Sequence, residues 1–303
     1  MTNIRVANAP CSYGAFEITV GRLPNVPGAL EVLAAVADAG YDGIELGPPG
    51  YLGTHAELRG RLESHRLELV GGYVPIRFSE PDALDEDLCG LDATLDSFEA
   101  GGAPAARPVF ADGGSPARAA RPGAAATDRS VGLDDAGWRR LADGVARAAE
   151  RARARGFEPT FHHHTATYVE APWEIERLLE LTDVGLLLDT GHLALGGGDP
   201  VQGLRDWRDR IDHVHVKDYK RSILESVIAD AADMQEAWRR RVFCELGTGD
   251  VDLAAFFAEL AASGYSGWLV VEQDLIPAPG EDASEAMAAQ ARNRAWLRDV
   301  AGL

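Results

Sequence analysis

The chain has 303 residues, 46% hydrophobic and 25% charged, with 48 acidic against 29 basic side chains and a formal charge of −19. That apolar content supports a large buried core and excludes global disorder. The negative charge excludes a nucleic-acid surface and an anionic membrane surface, since both are bound by clustered Lys and Arg.

Short apolar runs alternate with longer amphipathic segments. In chain order, a strand at 4–7 precedes a helix at 28–40, whose sequence GALEVLAAVADAG repeats apolar residues at helical spacing and stops at Gly40, a C-cap. Strand 43–46 and helix 56–65 follow, then strand 67–73 and helix 85–100. Strand 108–111 and helix 134–156 come next, then strand 158–162 with helix 171–182 and strand 185–189 with helix 201–209. Strand 211–216 with helix 253–263 and strand 267–272 with helix 282–300 complete the series. Eight buried strands, each followed by a helix, predict one α/β domain over 1–303, a (β/α)8 TIM barrel. An open doubly wound sheet is the alternative, disfavoured for a dinucleotide binder because no GxGxxG turn follows the first strand. Two stretches break the rhythm. Residues 103–132, rich in Ala, Gly, Pro and Arg, read as a long, partly mobile excursion, a lid over the C-terminal mouth. Residues 222–241 read as an extra helix before the last strand.

The three cysteines, Cys11, Cys89 and Cys244, are odd in number and widely spaced, so neither a disulfide framework nor a cysteine zinc site is expected, and a reducing, cytoplasmic location is. The N-terminus MTNIRVANAPCSYG lacks a leader pattern, and no stretch approaches the ~18 apolar residues of a membrane span.

Six of the eight histidines, His162, His163, His164, His192, His213 and His215, fall at predicted strand ends; only His55 and His65 lie elsewhere. On a barrel these ends form the mouth where active sites sit. Side chains alternate along a strand, so His162 and His164 share one face and His163 the other. Asp189 closes a purely apolar run and is costly to bury there unless paired or metal-bound. His213 and His215 share a face, and His215 is nearer the mouth. Glu272 is the strand-end carboxylate of the last strand. Lys217 and Lys220 are the only lysines, which marks Lys217 as a candidate primary amine. Glu45, at the end of the second strand, is a further lining candidate.

Four successive strands thus deliver His162, Asp189, His215 and Glu272. A mixed nitrogen and oxygen set suits Mn²⁺, Co²⁺, Fe²⁺ or Zn²⁺ better than Ca²⁺. Such an ion holds adjacent oxygens of a hydroxy-ketone and stabilises the enediolate formed when a proton leaves the neighbouring carbon.

The segments Asn8-Ala-Pro-Cys-Ser-Tyr-Gly14, His162-His-His-Thr-Ala-Thr167, Leu187-Leu-Asp-Thr-Gly-His192 with Gly197-Gly-Asp-Pro200, His213-Val-His-Val-Lys-Asp218 and Gly264-Tyr-Ser-Gly-Trp-Leu-Val-Val-Glu-Gln-Asp274 resemble the inosose dehydratase family of the xylose isomerase-like barrel superfamily. The similarity runs from the first strand to the last. It implies metal ligands at His162, Asp189, His215 and Glu272, with His163 replacing His162 if the triple histidine is shifted by one. It implies Mn²⁺ or Co²⁺ foremost, with Fe²⁺, Zn²⁺ or Mg²⁺ as alternatives. His192 matches a histidine that contacts substrate; Glu45, His163 and Asp218 are further substrate-binding candidates.

The superfamily's ketose epimerases carry Glu where His162 stands. Epimerisation needs a base on each face of the reacting carbon, whereas elimination needs one base and one acid. A His-rich mouth suits elimination of water from 2-keto-myo-inositol or a related keto-cyclitol or keto-sugar. Glu272 is the expected base and His192 or His164 the expected acid, with Lys217 as an alternative partner of the oxyanion. Tyr13, where the dehydratases often carry Trp, and the two insertions leave the substrate open. A sugar isomerase or epimerase is the alternative; an endonuclease IV-like enzyme conflicts with the charge, and an inactive binding subunit with the intact ligand set. The expected partner is a small polyol or keto-sugar, without nucleic acid or membrane, and a homo-oligomer is compatible by analogy.

Overall fold

The computed structural model describes residues 4–54 and 56–303; readings that touch Met1, Thr2, Asn3 and His55 lie outside the described residues. Its strands are β1 (Ile4–Asn8), β2 (Gly43–Glu45), β3 (Glu68–Ile76), β4 (Arg107–Asp112), β5 (Thr160–His162), β6 (Gly185–Asp189), β7 (Ile211–Val216), β8 (Asp218–Tyr219), β9 (Phe243–Cys244) and β10 (Gly267–Val271). All but β8 and β9 close a parallel barrel in the order β1-β10-β7-β6-β5-β4-β3-β2. The predicted (β/α)8 architecture is therefore the observed one.

The outer layer comprises helices Ala29–Ala39, Ala56–His65, Pro81–Gly101, Asp135–Ala154, Pro172–Leu181, Pro200–Trp207, Leu253–Ser263 and Ala283–Ala301. The third begins four residues before its predicted start, because Pro81 occupies the first turn, where its missing N–H costs nothing. The main core lies between strands and helices and includes Phe110, Phe161, Leu186, Leu188, Val214, Val216, Leu269 and Val271. Those residues alternate along their strands with the ones that point into the barrel. Among the described residues, no helix is long and apolar enough to cross a membrane.

The stretch 103–132 departs from the expected mobile excursion. It contains β4 itself, followed by a short helix Pro116–Ala119 and single turns at Ala124–Ala126 and Arg129–Val131. Arg118, only 2% exposed, anchors it with bonds of 2.8 Å to Glu174 and 2.9 Å to Glu170. Trp173 adds a hydrogen bond from Nε1 to the Ala125 carbonyl at 2.9 Å. Low apolar periodicity concealed an arch held by buried charge rather than by an apolar face.

The stretch 222–241 holds two helices rather than one, Arg221–Ala229 and Met234–Arg239, carried by the β8–β9 ribbon. They enclose a small core of their own, with Leu195, Tyr219, Leu224, Val227, Met234 and Phe243.

Replacing Arg118 by Met leaves Glu170 and Glu174 as buried carboxylates without their cation. Urea unfolding is expected to show a loss of about 3–5 kcal/mol, the scale for breaking a buried ion pair. A loss below ~1 kcal/mol, the value of an exposed pair, would show that the arch is held by other contacts.

Candidate active site

Strand alternation sends His213 and His215 of β7 inward, with Lys217 continuing the series, and sends Asp189 inward at the end of β6. Asp189 lies directly beside His215 in the β6–β7 register. Glu272 follows the outward-facing Val271 one residue past β10, and His162 ends β5. Three of the expected ligands, His162, Asp189 and His215, therefore cluster, and Glu272 stands beside His215. His162 Nε2 lies 3.4 Å from Asp189 Oδ2; His215 Nδ1 lies 3.7 Å from the same oxygen and 2.8 Å from Glu272 Oε2. The Lys217 ammonium stands among the carboxylates, 2.7 Å from Asp189 Oδ2, in contact with Glu272 Oε2, and 3.7 Å from Asp274 Oδ1.

All of these groups are buried. Burial opposes ionisation of Glu272, but His215 and Lys217 outweigh it and hold the carboxyl well below its usual range. Asp189 is likewise resisted by burial and pulled well down by Lys217 and His192. Burial pushes His162 and His163 down to about 4 and His164 to about 3. His215 is the exception: burial lowers it, yet Glu272 and Glu45 raise it to about 10.

The donor set fits a divalent cation. Neither ring nitrogen of His162, nor Nδ1 of His215, has a hydrogen-bond partner among the described residues. The ligand atoms of His162, Asp189 and His215 all lie within 4.8 Å of one another, and Glu272 Oε2 is 2.8 Å from His215 Nδ1, a spacing compatible with an ion with bonds of roughly 2.0–2.2 Å. Glu45 supports this arrangement from below. Its Oε1 is 3.0 Å from His215 Nε2 and 3.3 Å from His213 Nε2. The carboxylate accepts from His215 Nε2 and so orients the ring with Nδ1 toward the other ligands, as outer-sphere carboxylates do for metal-binding histidines, whose Nδ1 becomes a ligand once its proton is lost. Gly71 makes room, because a Cβ there would lie 3.1 Å from Glu45 Oε1. A Cβ at Gly191 would collide with Lys217 Cβ, which explains the glycine of the Asp-Thr-Gly-His turn.

Three expectations are corrected. His163, offered for substrate or for the metal, points away from the mouth; its Nε2 accepts the Asp189 N–H at 3.1 Å. Asp218 also faces away. Its carboxylate accepts the N–H groups of Tyr219, Gly247, Gly249 and Val251 at 2.9–3.1 Å and so holds the loop before the helix Leu253–Ser263. The chain turns into the β8–β9 ribbon directly after Lys217, which sends Asp218 beneath that loop. His192 does not reach the cavity wall. Asp189 Oδ1 caps the Gly191 and His192 N–H groups at 2.9 Å each. The helix that starts there tucks the His192 ring behind His164, with centroids 3.9 Å apart.

The cavity measures about 210 Å³. Glu45, Tyr73, His162, His164, His215, Lys217, Glu272 and Asp274 supply its polar lining, and Phe16, Ile18 and Trp238 part of its apolar wall. Phe16 and Trp238 stack at 5.3 Å. Residue-by-residue reading missed Asp274, Tyr73, Cys11, Phe16 and Trp238. Asp274 carried a signal, since it is two residues beyond Glu272 and so on the same face. The others come from β3, from the segment after β1 and from the helix Met234–Arg239, and their convergence carried no sequence signal.

A family model described as xylose isomerase-like TIM barrel matches residues 33–300. The chain is 36% identical over 261 residues to an inosose dehydratase of Geobacillus kaustophilus (strain HTA426), covering 82% of this chain and 80% of that protein. Among solved structures it is similar to an L-ribulose 3-epimerase (TM-score 0.70, 20% identity, 99% of this chain and 95% of that one). It is also similar to the IolI protein solved with a zinc atom (TM-score 0.71, 15% identity, 98% of each chain). These two likenesses concern the fold. The match along the barrel and the extent of the dehydratase identity together mean that the chain belongs to the xylose isomerase-like TIM barrel family and, within it, to the inosose dehydratases.

Proposed function

We infer that the enzyme eliminates water from 2-keto-myo-inositol or a closely related keto-cyclitol, with Glu272 removing the proton beside the carbonyl. The observation that carries this reading is the cluster of His162, Asp189 and His215 at the cavity, with Glu272 2.8 Å from His215 and with His164 and Asp274 also in the lining. The Geobacillus relative is named for inosose as its substrate.

A divalent cation held by His162, Asp189, His215 and Glu272 would supply Lewis acidity at the carbonyl oxygen. The rest of the chemistry belongs to the chain. Glu272, kept ionised by His215 and Lys217, accepts the α-proton. The Lys217 ammonium donates to the oxygen on which negative charge develops. The departing hydroxyl meets His164 or Asp274, two of the wall groups outside the cation set, and leaves as water with a proton from that group. Epimerisation would require a second base on the far face of the carbon, and His162 stands where the epimerases carry that carboxylate. The donor chemistry and the zinc-bearing fold neighbour support a divalent metal, with Mn²⁺ or Co²⁺ as our first choices.

The direct test incubates the Mn²⁺- or Co²⁺-loaded enzyme with 2-keto-myo-inositol and follows product by mass spectrometry. A product lighter by one water is expected, with loss of activity on chelation and recovery on adding metal back. Exchange of the α-proton and inversion of the centre without loss of water would identify an epimerase instead.

Glu272→Gln is expected to lower turnover by at least about 10²-fold, the scale of a lost general base. Metal content is measured alongside by elemental analysis. Near-native turnover in a metal-replete Gln variant would remove Glu272 from the role of base.

A further inference from the structure

Tyr73, Phe16 and Trp238 are the Tyr, Phe and Trp side chains of the cavity lining. Tyr73 sits beside His162 and His164 at the strand ends. Phe16 and Trp238 come instead from the connections that follow β1 and β7, and their rings stack with centroids 5.3 Å apart, 17° from parallel. Both are carried on backbone that is held in place. The Phe16 N–H donates to Thr19 Oγ1 at 2.8 Å, and that hydroxyl donates to the Gly14 carbonyl at 2.5 Å. Trp238 belongs to the helix Met234–Arg239, whose Met234 and Ala237 are buried in the minor core. Both segments are also tied to the loop after β10. Asn25 Nδ2 donates to the Ala278 carbonyl at 2.8 Å, and Arg241 pairs with Glu281. The stack is thus built into the fold before any substrate arrives. It contains one unmet demand: Trp238 Nε1 is buried and has no hydrogen-bond partner among the described residues. A buried indole N–H ordinarily has one.

We propose that Trp238 is a specificity-determining residue: with Phe16 it forms an apolar wall for the C–H face of a closed polyol ring, and its indole N–H donates to a ring hydroxyl. This rests on the elimination reading above and names the residue that selects a ring over an open chain. A closed ring offers its C–H bonds as one rigid apolar face, which an aromatic surface buries. An open-chain polyol must freeze its torsions to present the same surface, and that ordering lowers its affinity. The polar lining meets hydroxyls that both forms carry, so the wall is what separates them. The Trp238 N–H has no protein partner to give up when a hydroxyl reaches it, so that bond favours the bound state.

The test uses metal-loaded enzyme and two unreactive probes matched in carbons and hydroxyls: myo-inositol, a ring, and sorbitol, an open chain. By calorimetry the wild type is expected to bind myo-inositol at least about 10-fold more tightly than sorbitol. Trp238→Ala and Phe16→Ala should each lose most of that preference, with thermal unfolding and metal content unchanged. Trp238→Phe keeps an aromatic ring but not the N–H; it should keep the preference and bind myo-inositol about 3–10-fold more weakly. Among the indole N–H signals of the six tryptophans, the one absent from Trp238→Phe should move when myo-inositol is added. With 2-keto-myo-inositol, Trp238→Ala should raise KM by at least about 10-fold and leave kcat within about 3-fold, the pattern of lost uniform binding. Equal binding of the two polyols by the wild type, or a ring preference intact in both alanine variants, would overturn the wall. A Trp238 signal that stays fixed at saturating myo-inositol would overturn the donor role. A fall in kcat at unchanged KM in Trp238→Ala would place the residue in the reaction and overturn its role in selection. A wild type that prefers the ring, yet neither exchanges the α-proton of the ketone nor releases water from it, would sink the elimination reading and leave the wall standing.

Discussion

Asp189 and Glu272 are buried carboxylates at the mouth of a closed barrel, and they stay ionised only because positive charge is brought to them. An isolated buried carboxylate would neutralise itself by taking a proton. Here the Lys217 ammonium stands between the two, and His215 leans on Glu272 at 2.8 Å. Each of these four side chains comes from the end of β6, β7 or β10, so the electrostatic demand is met only if the barrel closes in this register. The same demand makes the place suitable for a divalent cation.

Behind the site, each orienting contact frees a particular atom. Glu45 accepts from His215 Nε2 and leaves Nδ1 toward the carboxylates. Asp189 spends Oδ1 on the Gly191 and His192 N–H groups and keeps Oδ2 for the site. Thr165 divides its hydroxyl, N–H and carbonyl between two histidines. Even the buried residues next to the site act in this way: His163 accepts the Asp189 N–H and so steadies the strand end that carries the carboxylate. Polar groups buried this deeply cost little when each partner is satisfied, and they specify one arrangement because alternatives leave a charge unpaired.

The two departures from the β/α rhythm have different roles. The segment after β4 is an arch locked by Arg118 to Glu170 and Glu174. The helices between β8 and β9 form a minor core and bring Trp238 onto Phe16 at the cavity wall. A ring with an apolar C–H face fits against such a wall while its hydroxyls face the charged floor. The shape of the cavity is thus shared between the barrel, which supplies charge, and an insertion, which supplies surface.

The eight barrel strands were legible in the sequence because each is a short apolar run closed by a turn residue, and a strand buried on both faces leaves that mark. The clustering of His162, Asp189 and His215, with Glu272 beside His215, was legible for a related reason: a polar residue at the end of an apolar strand has one place to go in a closed parallel barrel. Strand parity also separated His162 from His163. Parity failed at Asp218 and His192, where the strand had ended and the next turn set the direction. It could not reveal Arg118, whose partners lie 52 and 56 residues away. Nor could it show which nitrogen of each histidine carries its proton. Periodicity records which face a residue takes within one element. The partners that orient it, and the chemistry they leave exposed, come from segments brought together only when the barrel closes.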